Sequence, residues 1–422
     1  MERTGGGTAE AGDARRSAAG LVAALARPRM AGSEGAEQVA AELRGRLEGL
    51  GYEVRELPFS FSTLPGRFGV PVLGAVLLAT AVAATAFNIV DVHWLALVIT
   101  LVGGGLAFGG AYLWRRLLRV PFQRLECANW LVTRPGARPR YLVSAHRDSK
   151  SQPVSIRVRA AGVAAALIGW AALLIVSIAA TLVGNLAAWV AIVVGAVLAL
   201  GSLAMLLSWS ANHSPGALDN ATGLAALVGL AERLSGEDGV GFLVTDGEEL
   251  GLAGAFAAAP ALPRVAGIIN LDGLADEGPL QVIERHGFPR KGRAAHLAAA
   301  LLTAADEAGV GARRRDLPPG IVVEHVAYTR YGIPSLTLMH GTPSALSRVH
   351  RPSDTAERVT GDGVAATVTV VEEALRRLLR TDAPASSAPL LGHRAPGDPS
   401  TAFPRLDVES RPLLGPKGGD GA

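Results

Sequence analysis

The 422-residue chain contains one cysteine, Cys127. That excludes a disulfide scaffold and any zinc or iron–sulfur site built on several thiolates, and it fits a reducing compartment. Lysine is nearly as scarce, at positions 150, 291 and 417 only, so almost every basic residue is arginine. Set among so much alanine and glycine, that bias reads as genomic composition rather than function. The net charge is only +3, and no arginine run is interleaved with aromatic residues; a nucleic-acid surface is not expected. The 51 glycines show no every-third period, which excludes a collagen-like chain. Charged residues make up 18% against 49% apolar ones, with a mean hydropathy of +0.31. That is too apolar for disorder and high for a purely soluble protein.

Charge is missing locally as well. From Phe68 to Trp114 the only formally charged residue is Asp91, and from Ala160 to Leu218 there is none. About 20 apolar residues cross about 30 Å of hydrocarbon as a helix, so each stretch holds two crossings. The expected helices are 68–87, 92–114, 160–181 and 186–208, turning at 88–91 and 181–185. Trp114 and Trp209 lie at segment ends, where interfacial anchors belong. The connection 115–159 carries eleven basic residues against the acids Glu126 and Asp148, while both hairpin turns lack Lys and Arg. Positive segments stay inside, so everything outside the hairpins is expected in the cytoplasm. The first 20 residues hold no apolar core, so no cleaved signal peptide is expected.

The remainder alternates helices and strands. A helix is expected over 17–50. Strands are expected at 52–61, 128–133, 140–145, 241–245, 266–271, 280–284 and 334–339. Further helices are expected near 220–235, 291–309 and 361–380. Such alternation predicts an α/β fold, a mixed, mostly parallel sheet flanked by helices. A disordered N-terminus is expected over 1–15 and a disordered Pro/Gly/Ser-rich tail over 381–422.

Candidate chemistry gathers just after strand ends, where open α/β sheets place their sites. Strand 140–145 runs into His146-Arg-Asp148. Asp219-Asn opens a helix, strand 241–245 runs into Asp246-Gly-Glu248-Glu249, strand 266–271 runs into Asp272, and the last motif is His350-Arg-Pro-Ser-Asp354. Histidines and carboxylates without thiols suit zinc or another borderline divalent metal. A two-metal hydrolytic site needs a bridging carboxylate, terminal ligands and a base. Asp219 can bridge, His146 with Asp272 can complete one metal position, and Glu249 with His350 the other. Glu248 and Glu249 diverge in their turn, so one can ligate while the other faces a water. Asp148 is placed to receive the second N–H of His146. Each motif alone has an ordinary structural reading: Asp-Asn is commonly an N-cap, Glu-Glu in a turn is usually solvated, and His325 and His340 compete with His350. The remaining histidines, among them His93, His213, His286, His296 and His393, read as non-ligands.

The order of these motifs resembles metallopeptidase family 28, the co-catalytic zinc aminopeptidases, whose relatives include glutamate carboxypeptidases and glutaminyl cyclases. The resemblance rests on Arg27-Pro-Arg-Met-Ala-Gly-Ser-Glu34, Leu50-Gly-Tyr-Glu-Val54, Asn129-Trp-Leu-Val, Ser144-Ala-His-Arg-Asp-Ser149, Gly216-Ala-Leu-Asp-Asn-Ala-Thr-Gly, Asp246-Gly-Glu-Glu-Leu-Gly and Val323-Glu-His-Val-Ala-Tyr328 with Gly332-Ile-Pro334. It spans about 16–62, 125–155 and 212–378. It implies two zinc ions held by His146, Asp219, Glu249, Asp272 and His350, with Glu248 as general base; Asp148, serving His146, is counted with Glu248 among the catalytic residues. It places Arg147, Glu324, His325 and Tyr328 on the substrate side. Arg147 stands where a small or aromatic residue is usual, and Glu324 where Asp is usual. The peptidase domain would comprise 16–67, 115–159 and 209–380, interrupted by membrane hairpins at 68–114 and 160–208. The second hairpin separates His146 from Asp219, so the centre is expected near the bilayer surface.

The function implied is a membrane-anchored bacterial-type aminopeptidase, with a peptide substrate and the lipid bilayer as partners. The alternatives are a glutaminyl cyclase-like or carboxypeptidase-type enzyme on the same fold, and a non-catalytic membrane scaffold. A cyclase with one metal would not need all five ligand positions, and a scaffold would be expected to lose some of them. A transporter draws little support from four helices without an intramembrane charge.

Overall fold

A computed structural model of the chain describes residues 5–184, 187–318, 321–342 and 344–381. Its helices are α1 (Gly5–Leu25), α2 (Glu34–Gly49), α3 (Leu64–Ile89), α4 (His93–Tyr112), α5 (Trp114–Leu117), α6 (Ile156–Val183), α7 (Ala188–Leu206), α8 (Thr222–Arg233), α9 (Ala253–Ala258), α10 (Ala295–Glu307), α11 (His325–Arg330) and α12 (Asp362–Thr381). Its strands are β1 (Glu53–Ser62), β2 (Arg124–Thr133), β3 (Tyr141–His146), β4 (Val240–Thr245), β5 (Gly267–Leu274), β6 (Leu280–Arg285), β7 (Ala312–Asp316) and β8 (Ser335–His340).

The strands form one eight-stranded sheet in the order β1-β2-β4-β3-β5-β8-β6-β7. Its centre, β4-β3-β5-β8, is parallel, with antiparallel pairs toward both flanks. The central strands read as continuous Val/Leu/Ile runs because both faces are covered. One face packs against α1, α2, α8, α10 and α12 through residues such as Val22, Leu43, Leu227, Leu301 and Leu375. The other packs against α9 and α11 through Leu142, Leu243, Phe256 and Tyr328.

Three expectations change. The single helix expected over 17–50 is two: Pro28 and Gly32, the latter at φ +78°, interrupt it, and Ser33 restarts it by accepting the Ala36 amide. The N-terminus expected to be disordered is helical from Gly5, carried by alanines and an Asp13–Arg16 pair. Strand β7 went unseen because Arg313-Arg314-Arg315 carries no apolar pattern; it is an edge strand that pairs with β6 and leaves its arginines exposed. The tail expected over 381–422 lies outside the described residues, apart from Thr381.

Helices α3, α4, α6 and α7 are each long and apolar enough to cross a membrane. They form a bundle with its own core, centred on Leu77, Ala84, Ala166, Leu173 and Leu198. Its seams depend on missing side chains. A Cβ on Gly201 would lie 2.5 Å from the Ala166 amide nitrogen, and one on Gly169 would lie 2.6 Å from that of Leu198. Backbones that close leave no room for larger residues. Within the glycine run of α4, Gly103 and Gly104 seat Thr80 and Trp170, while Gly105 faces open space.

Gly201→Leu should therefore pry α6 from α7. We expect a loss of about 1–3 kcal/mol, the usual cost of overpacking, seen as a lower unfolding temperature in detergent. An unchanged transition would show that the seam does not hold the bundle together.

Candidate metal centre

Parallel pairing sets β3, β4, β5 and β8 with their carboxyl ends along one edge. His146 ends β3 in register with Thr245 of β4. Glu248 and Glu249 follow β4 in a turn, and Asp272 lies near the end of β5. Asp219 comes from the turn Ala217–Ala221 ahead of α8, and His350 from the segment after β8, at φ +62°. That is a left-handed conformation that a residue other than glycine adopts only when its surroundings impose it.

Two buried groups of metal-type donors result: His146, Asp219 and Asp272, and Asp219, Glu249 and His350. Asp219 belongs to both. Its Oδ1 lies 3.2 Å from His146 Nε2, and its Oδ2 lies 3.1 Å from His350 Nε2. His146 Nε2 is also 3.9 Å from Asp272 Oδ1, and His350 Nε2 is 3.1 Å from Glu249 Oε2. The structure thus brings all five residues expected as ligands together. The competing histidines are engaged elsewhere: His325 Nδ1 contacts Thr337 Oγ1 at 2.8 Å, and His340 Nδ1 contacts the Ala275 carbonyl.

Asp148 works differently from the expectation. Its two carboxylate oxygens accept the backbone amides of Glu248 and Glu249, at 3.1 and 3.0 Å. His146 Nδ1 lies 3.1 Å from the Asp148 backbone carbonyl, closer than the 3.6 Å to its carboxylate. Asp148 therefore fixes the turn that carries the Glu pair, and its carbonyl sets the His146 ring. Glu248 is buried beside the two groups, and burial together with the Glu249 charge pushes its carboxyl well above the usual range. Against the penalty of burial, the charges of His350 and Lys150 pull Glu249 down to about 2.

The residues expected on the substrate side are buried, and each makes contacts within the chain. Arg147 gives Nη2 to Asp246 Oδ2 at 2.8 Å and lies 4.5 Å over the Trp130 ring. It lies just past the end of β3 and is turned onto Asp246 and Trp130, which differs from its expected place on the substrate side. Glu324, His325 and Tyr328 are buried in or beside α11, with the Tyr328 hydroxyl donating to Glu324 Oε2 at 3.3 Å. Burial pushes Glu324 up to about 7.

Four supporting residues had been given no role. Arg29 is fully buried and donates to the carbonyls of Arg27, Arg147, Pro215 and Gly216, so it clamps the 26–33 loop to the segments that carry His146 and Asp219. Asp354 accepts the amides of Leu218 and Asp219 at 2.9 and 3.2 Å. Asn220 donates to the Leu271 carbonyl at 2.8 Å and accepts the Gly273 amide, tying the Asp219 turn to β5. Lys150 bonds Glu249 Oε2 at 2.8 Å and its carbonyl at 3.0 Å. All four lie within the motifs that mark the site or next to them. A buried arginine or lysine, however, reads in sequence like a surface one.

The apolar bundle abuts this centre. A Cβ on Gly66, in the first turn of α3, would lie 2.5 Å from Leu250 Cα, one residue past Glu249. The Gln152 amide donates to the His350 carbonyl at 2.9 Å, and Ser151 pairs with Ala211 where the chain enters α6 and leaves α7.

Residues 202–375 match the family model described as Peptidase family M28, and the resemblance read from the motifs holds there. The match takes in every expected ligand except His146. No curated protein matches the chain. Among solved structures, the aminopeptidase from Aneurinibacillus sp. strain AM-1 superposes with a TM-score of 0.50 at 13% identity, over 86% of this chain and 93% of its own. A zinc aminopeptidase from Bacillus subtilis gives 0.51 at 14%, over 86% and 94%. A glutaminyl cyclase from Porphyromonas gingivalis gives 0.50 at 14%, over 86% and 98%. These likenesses establish the zinc aminopeptidase fold.

Removing the Arg29 guanidinium leaves four backbone carbonyls without their donor and takes away the positive charge that acts on Asp219, Asp354, Asp148 and Glu249. Arg29→Met should cost about 3–5 kcal/mol, the scale for breaking a buried charged network, by denaturant titration; a cost below about 1 kcal/mol, the scale of an ordinary hydrogen bond, would deny it the clamp role. Asp354 gives a pH test. Burial, aided by the Asp219 charge, pushes its carboxyl from 3.8 up to about 6 against the two amide bonds. The folded chain then holds this proton more tightly than the unfolded one. The group's stabilising contribution is complete below pH 3.8 and is lost as pH rises through 6. The stability gap between the native chain and Asp354→Asn should shrink over that window, and a gap that widens would contradict the assignment.

Proposed function

We propose that this chain, with its M28-type segment, is a membrane-anchored, metal-dependent aminopeptidase that removes N-terminal residues from peptides. The observation that carries the reading is the division of the Asp219 carboxylate, one oxygen toward each of two histidine–carboxylate groups. A carboxylate so placed suits two cations better than one.

The donor set fits such ions. His146 Nε2 and Glu249 Oε1 are buried without hydrogen-bond partners, a costly state for polar atoms unless a ligand takes them up. Nitrogen and carboxylate donors without thiolate suit zinc. His146 and Asp272 would hold one ion, Glu249 and His350 the other, with Asp219 between. When bound, two such ions supply Lewis acidity for a substrate carbonyl and for the attacking water.

The chain's own residues supply the proton handling. Glu248 faces the groups without ligating either, and its raised affinity for a proton suits a base that takes one from water and returns it to the leaving amine. Asp148 holds Glu248 in place through its backbone amide. The contacts of α3 with Leu250, and of the α6 approach with His350, support a centre at the bilayer surface and peptides near or released from the membrane as substrates. The basic 115–159 connection supports a cytoplasmic domain.

Elemental analysis of detergent-purified protein should find about two zinc-like ions per chain, the complement of a two-metal site. Glu248→Gln should keep that content and lower kcat on aminoacyl reporters by about 10²–10⁴-fold with little change in KM. No metal after zinc loading, or an unimpaired variant, would sink the mechanism. Cyclised product from glutaminyl peptides, without release of an amino acid, would move the assignment to the cyclase reading.

A further inference from the structure

Where α3 leaves the sheet, between its first turn and the 30–33 loop, lies a cavity of about 330 Å³. Its lining includes Ser33, Thr63, Arg67, Gln123, Arg124 and Leu250, and it contains no carboxylate. Two arginines therefore line it with no carboxylate among the lining residues. Arg124 is partly committed, donating to the Ser60 carbonyl at 3.1 Å and to the Ser60 hydroxyl. Arg67 is not. Its Nε is buried without a hydrogen-bond partner among the described residues, and the Phe68 ring lies 5.6 Å from Cζ. No carboxylate lines the cavity, so the charge of these two guanidinium groups is left for an anionic acceptor from outside the chain.

The surroundings indicate which acceptor. Guanidinium forks match phosphate oxygens two at a time. Arg67 lies in the first turn of an apolar helix whose hydropathy suits a membrane span, and the aromatic side chains of Phe68 and Phe122, next in sequence to Arg67 and Gln123, are exposed. We infer that the cavity binds a phosphate or phosphate-ester anion, held by Arg67 and Arg124: an anionic phospholipid headgroup, or free phosphate. The lipid source rests on the membrane-anchored reading above. The same first turn touches Leu250, so an occupant would brace the helix against the turn that carries Glu248 and Glu249.

The full chain tests this, reconstituted into nanodiscs of phosphatidylcholine with and without phosphatidylglycerol, with retained lipid counted by native mass spectrometry. We expect one phosphatidylglycerol per chain, and about tenfold weaker retention in Arg67→Gln, the effect of losing one charge-assisted bond. In detergent, inorganic phosphate is titrated against the same two proteins, with binding read by phosphorus NMR. Lipid retention that phosphate does not displace assigns the headgroup, and phosphate binding without lipid retention assigns the free anion; both support the site. Should Arg67→Gln fail to fold, Arg124→Gln tests the opposite wall. The inference is overturned if the native chain shows neither phosphatidylglycerol preference nor phosphate binding, or if the variant binds as well as the native chain. Carbonate extraction of native membranes reads the anchoring separately. A chain that washes off loses the lipid source, and the phosphate titration still decides the cavity.

Discussion

Five carboxylates, those of Asp148, Asp219, Glu248, Glu249 and Asp272, converge in a space almost closed to water, and the surrounding structure compensates their charge. A buried carboxylate without a partner is costly, so four of the five are answered in their own way: Asp272 faces His146. Asp148 is spent on two backbone amides. Glu249 meets Lys150 and His350. Asp219 is shared between two histidines, and Arg29 brings a fully buried positive charge behind its turn. Glu248 is the exception. Its carboxyl takes no hydrogen bond or ion pair among the described residues, and burial raises its affinity for a proton, which suits it to moving protons rather than holding cations.

That constraint explains the rigidity of the segments around it. The Asp219 turn is tied to β5 through Asn220, to the His350 segment through Asp354 and to the N-terminal loop through Arg29. Parallel strands bring their ends to one edge but do not fix loops several residues beyond them. The cross-ties do. They also reach the apolar bundle, because Lys150 and Gln152 precede α6 and Leu250 packs on α3. The bundle is thus mechanically continuous with the centre, and small residues along its seams let four helices approach closely enough to serve as a fixed base.

Much of this was legible beforehand. The central strands announced themselves as apolar runs, and the four long helices as stretches without charge. The six positions of the centre stood in recognisable motifs after strands. What escaped notice did so for physical reasons. The break at Pro28–Gly32 was hidden inside a helical pattern on both sides. Strand β7 is an arginine-rich edge whose only claim to be a strand is its pairing with β6. Arg147 sits next to a ligand in sequence, and just past the end of β3 its side chain turns onto Asp246 and Trp130.

The sequence by itself determined the periodicities, the apolar lengths and the donor chemistry, because these depend on residue type and local spacing. It set an α/β sheet, two apolar hairpins and a histidine–carboxylate repertoire. Only the tertiary structure decided which oxygen of Asp219 faces which histidine, that Arg29 and Lys150 are interior cations, and that Asp148 grips a turn rather than a ring. Those outcomes depend on distances between segments as much as 187 residues apart, as in the Arg29–Gly216 contact. Such distances are set by how the sheet brings its strand ends together, and no local pattern encodes them.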